Sequence, residues 1–151
     1  CRRNAMIDMG DREAARAAQR VYRKLRRDEL SDCRACVAHN DCLYYLARRD
    51  WRRAVSSAEP ILLGMLTCTE EPHRTLSVVL APLLRLGEVE RAKGLQRRGY
   101  RLIQRGSNFL KHQALQLIFV TLIGDFAQAK RMLERHLPDA LATSRTADLP
   151  R

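Results

Sequence analysis

The chain has 151 residues and a net charge of +11, and 46% of its residues are hydrophobic but only 5% aromatic. This composition predicts one soluble all-α domain whose core is built mainly from Leu, Ala, Val and Ile. No apolar run approaches the roughly 18 residues that a membrane span needs, so a transmembrane protein is excluded at this level.

Apolar periodicity and turn residues predict seven to eight helices. The chain opens with only a short part of one helix, and the first full helix is expected over about 11–27. The next two helices are expected over about 32–48 and 50–66, and Pro60 is expected to disturb the second of these. A loop at 67–71 leads to Pro72, which opens a helix to about 86 that Pro82 kinks. Helices follow over about 88–104, 108–123 and 125–142, and the tail 143–151 is expected to fray.

A short phrase recurs four times at the predicted bends. Its turn positions are Gly10, Arg49, Gly87 and Gly124, at intervals of 39, 38 and 37 residues. The turn residue can end a helix in the left-handed conformation, the acid that follows can cap the next helix, and an alanine five positions on allows close packing. In three copies an apolar residue is expected to pack against the turn and fix it: Trp51, Val89 and Phe126. This period predicts stacked helical hairpins over about 1–29, 31–66, 72–105 and 108–142.

The phrases Arg48-Arg49-Asp50-Trp51-Arg52-Arg53-Ala54 and Ile123-Gly124-Asp125-Phe126-Ala127-Gln128-Ala129 closely resemble the second half of the tetratricopeptide repeat. The period here is longer than the roughly 34 residues usual in that family, and no proline follows the second helix at the family's place. The resemblance implies a right-handed stack of hairpins, an α-solenoid, which binds a protein or peptide partner along its concave face.

The resemblance also implies which residues would line that concave groove, because the first helix of each hairpin faces it. They are Cys36, His39, Leu43, Arg74, Ser77, Arg85, Lys111, Ala114 and Ile118. Arg74, Arg85 and Lys111 on one face would favour an acidic peptide or a carboxylate terminus. Ordinary solvated helix surface is an equally good interpretation of these positions.

One group of cysteines has a spacing that suits metal binding. Cys33 and Cys36 lie one helical turn apart, and Cys68 and His73 follow near the loop at the same end of the hairpin. Three thiolates and an imidazole form a set that structural zinc prefers, although the spacing matches no standard zinc module. A redox-active Cys33/Cys36 pair and plain core packing remain as alternatives. The other cysteines are assigned to packing or to free thiols: Cys1 and Cys42.

The charge permits a second function. Lys and Arg number 28 against 17 Asp and Glu, and 24 of the 28 are Arg, an excess typical of a GC-rich bacterial genome. Guanidinium groups also bind phosphates, so a nucleic-acid-binding helical array is the alternative to a protein partner. The arginines are spread along the chain and aromatic residues are few, so this interpretation ranks second.

No residue pattern predicts catalysis, because the four histidines are scattered and the glycines form no phosphate loop. We therefore expect a non-enzymatic interaction module without a cofactor, zinc excepted. With an odd number of cysteines and no signal peptide, we expect it in the cytoplasm. The first hairpin is incomplete and no polar capping helix is evident, which suggests an excerpt of a longer protein. Pairing of the exposed apolar faces at the two ends of the array would give a homodimer.

Overall fold

The structure, a computed structural model, describes residues 9–26, 28–29 and 31–147. Over these residues it is all-helical and has no β-strand, as predicted. Its helices are α1 (Arg12–Lys24), α2 (Arg34–Ala47), α3 (Trp51–Leu62), α4 (His73–Val78), α5 (Leu80–Arg85), α6 (Val89–Ile103), α7 (Leu110–Leu122) and α8 (Phe126–Ala147), with a 3-10 turn at Ser107–Phe109. Only Val79 separates α4 from α5, so the two nearly form one helix.

Two prolines shape the helices differently. Pro82 lacks the N–H that would bond to the carbonyl of Val78, and its ring crowds that carbonyl, which explains the interruption at Val79. Pro60 lies inside α3, which ends at Leu62, earlier than predicted, because Gly64 turns the chain with a φ of +77°. The last helix continues to Ala147, past the predicted end at 142, and residues 148–151 lie outside the described part.

The four copies of the phrase share one turn conformation. The turn positions have positive φ values: +74° at Gly10, +58° at Arg49, +79° at Gly87 and +81° at Gly124. In the last three copies, the backbone N–H of the next residue, an acid, donates to the carbonyl five positions earlier, at 2.9–3.1 Å. These bonds are those of a Schellman motif, so the imperfect copy with Arg49 keeps the turn that glycine makes elsewhere.

The acids and alanines of the phrase act as predicted, with one exception. Asp11, Asp50 and Asp125 each accept the backbone N–H three residues later, at 2.9–3.2 Å. Glu88 makes no such cap, and its carboxylate accepts instead from the guanidinium of Arg91 at 3.0 Å. The four alanines are all buried: Ala15, Ala54, Ala92 and Ala129.

The apolar residue of the phrase is less uniform than predicted. Trp51 and Val89 are partly buried, but Phe126 is 68% exposed and does not pin its turn. The buried contacts of α8 begin instead at Ala129 and Met132, which join the hydrophobic core.

Helices joined by these turns contact one another: α2 with α3, α4 and α5 with α6, and α7 with α8. In addition, α4 contacts both α2 and α7, and α3 contacts α5. Leu76, Leu80 and Leu83 lie fully buried in this core.

Three helices approach one another closely at Gly99 of α6. A Cβ atom there would lie 3.0 Å from the Cβ of Leu76 in α4 and 2.8 Å from Nε2 of Gln116 in α7. The amide of Gln116 also donates to the hydroxyl of Ser77 at 3.1 Å. The absence of a side chain at Gly99 therefore allows α4, α6 and α7 to pack together.

Candidate functional site

Three cysteine side chains meet between the start of α2 and the loop that precedes α4. Cys33 is the N-cap of α2, where its sulfur accepts the backbone N–H of Cys36 at 3.3 Å. Cys68 lies in the loop, which is closed by two backbone hydrogen bonds between Cys68 and Glu71, each 3.2 Å long. The helix start fixes two of the sulfurs, and the closed loop fixes the third.

The three sulfur atoms lie within 4.8 Å of one another, and the sulfurs of Cys36 and Cys68 are 3.7 Å apart. The predicted convergence of these three thiols is therefore present. The predicted fourth ligand, His73, is not part of the group. Its ring packs edge-on against Phe109, with centroids 4.8 Å apart, and lies 6.2 Å from the ring of His112. His73 thus packs against the 3-10 turn that precedes α7 and does not complete the thiol group.

The thiols differ in ionisation. The backbone N–H of Cys36 stabilises the thiolate of Cys33, which lowers the pKa of this exposed thiol. Burial raises the pKa of Cys36 to about 12, and the neighbouring thiols of Cys33 and Cys68 add to the shift. Cys33 is therefore the first of the two to form a thiolate. Cys42, which was assigned to packing, is fully buried, and Cys1 lies outside the described residues.

Two of the predicted groove residues are buried, so they cannot contact a partner. The Nδ1 atom of His39 lies 2.8 Å from the hydroxyl of Thr75, and Ser77 donates to the backbone carbonyl of His73 at 3.0 Å. The predicted register was therefore wrong at these positions, because contacts with α4 and α7 turn His39 and Ser77 into the core.

The buried network around His39 includes a carboxyl group that the sequence analysis missed. Oε1 of Glu71 lies 3.2 Å from Nδ1 of His39, and its Oε2 accepts the backbone N–H of Thr75 at 3.0 Å. Burial lowers the pKa of His39 to about 3 and raises the pKa of Glu71, so it disfavours the charged form of each. Nothing in the sequence indicates that Glu71, an acid directly before Pro72, is buried.

The remaining predicted groove residues keep at least part of their surface. Cys36 and Leu43 are partly buried. The others lie on α4, α5 and α7, where they are partly or well exposed: Arg74, Arg85, Lys111, Ala114 and Ile118. Arg74 pairs with Glu70 at 3.4 Å, but Glu70 is exposed and Arg74 only partly buried, so water weakens this ion pair.

A second candidate surface, which the sequence analysis missed, is a basic cleft between α1, α2 and the start of α3. It has a volume of about 390 Å³. Its lining includes five arginines and two tyrosines: Arg16, Arg20, Arg23, Arg48, Arg53, Tyr44 and Tyr45. The sequence signal for this cleft is the spacing of Arg16, Arg20 and Arg23, because helix residues three and four positions apart lie on the same side.

Hydrogen bonds hold two of these arginines against the tyrosines. Arg23 donates to the hydroxyl of Tyr45 at 2.9 Å, and Arg48 donates to that of Tyr44 at 2.8 Å. The guanidinium of Arg48 also lies 5.5 Å from the ring centroid of Tyr44. Tyr44 is buried, so the cleft presents mainly guanidinium groups.

Comparison of the chain with protein-family models, with curated proteins and with solved structures gave no match. Within the described part of the chain, each helix is too short or too polar to cross a membrane.

Proposed function

We propose that this chain is a tetratricopeptide-like array of helical hairpins that binds an acidic peptide segment of another protein. The common turn geometry of the four repeat copies supports this architecture. The contacts of α4 with α2 and α7 also support it, since the first helices of successive hairpins lie side by side in such arrays.

The observation that carries the choice of ligand is the mixture of cationic and apolar surface on α4 and α7. Arg74 and Lys111 lie near the N-terminal ends of the two contacting helices. Ala114 lies three residues after Lys111, Ile118 lies four residues after Ala114, and Ile118 is 54% exposed. Peptide carboxylates would pair with the cations while an apolar peptide side chain covers Ile118, and the net charge of +11 would add long-range attraction.

A phage-displayed library of random peptides, selected on the immobilised protein, tests this proposal. We expect enrichment of Asp and Glu next to Leu, Ile or Phe. The variant Lys111→Glu/Ile118→Ser should lose most of this enrichment, because it reverses the charge and removes the apolar anchor.

The matched control is Arg97→Glu/Leu102→Ser on α6. Arg97 is exposed, and Leu102 is 53% exposed, nearly the same as Ile118. This variant should select the same peptides as the wild type. Equal losses in both variants would point to charge alone and contradict a site on α7, and the absence of any enriched peptide would refute the proposal.

Nucleic-acid binding is the second candidate function, and the basic cleft is the observation that favours it. Its arginines can pair with backbone phosphates. Tyr44 is buried, and Tyr45 is partly buried with its hydroxyl bonded to Arg23, so phosphate pairing would contribute more to binding there than base stacking.

Fluorescence anisotropy with a labelled oligonucleotide over a range of NaCl concentrations tests the second candidate. Phosphate binding predicts a steep fall of affinity with salt. The variant Arg16→Ala/Arg20→Ala should reduce the log–log slope by about 0.9 for each lost contact. Arg97→Ala/Arg101→Ala, a pair of exposed arginines with the same spacing on α6, should leave the slope unchanged. Equal slopes in all three proteins would exclude the cleft as the binding surface.

A further inference from the structure

We propose that Cys33, Cys36 and Cys68 bind a zinc ion as three thiolates, and that the fourth coordination position is open to solvent. This inference concerns the loop before α4 and does not depend on the proposed peptide-binding surface.

The sulfur positions suit a tetrahedral ion. With a Zn–S distance of about 2.3 Å, two sulfurs of a tetrahedral site lie about 3.8 Å apart. The sulfurs of Cys36 and Cys68 are already 3.7 Å apart. All three sulfurs lie within 4.8 Å, so closing the site needs a movement of about 1 Å by one side chain. Cys33 can provide this movement because its side chain is exposed at the end of a helix.

The donor set also favours a metal ion over a disulfide. A disulfide joins two sulfurs and leaves the third unpaired, whereas here three sulfurs converge from two separate elements. Thiolates are soft ligands, which select zinc or copper(I) over magnesium or calcium. For zinc, three thiolates leave one tetrahedral position to be filled.

Water or an external ligand would occupy that fourth position. Among the described residues, no His, Asp or Glu joins the three cysteines within the same 4.8 Å limit. The nearby candidates are engaged elsewhere, since His73 packs against Phe109 and Glu70 pairs with Arg74. Cys33 lies on the exposed side of the group, which gives an external ligand access. Three protein ligands with one open position is the arrangement of reactive rather than purely structural zinc sites.

Zinc binding would connect two parts of the chain. Cys36 belongs to α2, and Cys68 lies 32 residues later, after α3. An ion that bridges them closes this loop only in the folded chain, so zinc should stabilise the folded state.

The experiment begins with the full chain, reduced and freed of metal, and titrated with Zn²⁺ alone while bound metal is measured by mass spectrometry. We expect one zinc per chain and a higher thermal midpoint. Titration with Co²⁺ should give the sulfur-to-cobalt charge-transfer band and the visible bands of a tetrahedral thiolate site. Cys36→Ser and Cys68→Ser should each weaken zinc binding by more than about tenfold.

Two variants make the result specific. Cys42→Ala removes a buried cysteine outside the group and should keep full zinc affinity. His73→Ala should also keep it, because the imidazole is not a ligand in this proposal. If His73→Ala lost binding as strongly as Cys36→Ser, the open fourth position would be wrong.

Other outcomes would overturn the proposal altogether. They are a folded chain that binds no zinc, zinc binding that survives in both Cys36→Ser and Cys68→Ser, and a cobalt spectrum without the bands of a tetrahedral thiolate site. Circular dichroism of each variant shows whether a loss of zinc binding reflects a lost ligand or a lost fold.

Discussion

The replacement of Gly99 by alanine tests the packing of α4, α6 and α7 directly. In an open helix position, Gly→Ala stabilises a protein by about 0.8–1 kcal/mol. At Gly99 the added Cβ would lie 3.0 Å from the Cβ of Leu76 and 2.8 Å from Nε2 of Gln116. Overpacking of this kind costs about 1–3 kcal/mol, and displacing Gln116 breaks its buried hydrogen bond to Ser77 at a further cost of about 1–3 kcal/mol. The net effect expected for Gly99→Ala is a loss of about 1–5 kcal/mol.

Urea unfolding followed by far-ultraviolet circular dichroism measures this loss as a lower midpoint, by about 0.5 M for each kcal/mol at an m value of about 2 kcal/mol/M. Gly94→Ala, in the same helix, is the control, since a Cβ there meets no heavy atom within 4 Å. The control should raise the free energy of unfolding by about 0.8–1 kcal/mol. If Gly99→Ala proved as stable as Gly94→Ala, then α4, α6 and α7 would not meet at this point.

Two further predictions concern the turn at Arg49 and the buried side chain of His39. Arg49→Gly should stabilise the fold by about 0.5–1 kcal/mol in urea unfolding, because glycine removes the roughly 1–2 kcal/mol cost of a left-handed residue but adds entropy to the unfolded chain, which offsets part of the gain. Gly87→Ala should destabilise the fold for the converse reason. A loss of stability in Arg49→Gly together with a gain in Gly87→Ala would refute the turn assignment. Burial lowers the pKa of His39 from 6.5 to about 3, so the unfolded chain binds the proton first and the free energy of unfolding should decrease as pH falls through this window, by up to about 1.4 kcal/mol per pH unit. His39→Gln should reduce this slope, and identical slopes would contradict a buried neutral imidazole. The raised pKa of Glu71 acts in the opposite direction and decreases stability as pH rises above 4.5.

The turns could be predicted from the sequence because they are local. A positive φ, an acid cap and a small residue five positions later all follow from residues within one short segment. Even the imperfect copy at Arg49 was found, because Asp50 and Ala54 kept their places in it. The all-helical fold follows from the same local information, repeated along the chain.

The orientation of individual side chains depends on distant contacts, and there the predictions failed. His39 and Ser77 were placed in a groove, but the rotation of α2 and α4 about their axes turns them into the core. His73 was predicted beside the thiols, yet Phe109, from a segment more than 30 residues away, holds its ring elsewhere. Cys36 and Cys68 were predicted correctly to converge because hairpin topology alone brings their backbones together.

The loop before α4 links the thiol group to the proposed peptide-binding surface. Cys68 contacts Cys36, and three residues later Glu71 contacts His39, so the loop meets α2 at two points about one helical turn apart. Oε2 of Glu71 also accepts the backbone N–H of Thr75 in the first turn of α4, next to Arg74. An ion that fixes Cys68 would therefore restrain the start of α4 and, with it, the position of Arg74. Because such coupling is reciprocal, any change in peptide affinity caused by zinc must equal the change in zinc affinity caused by the peptide.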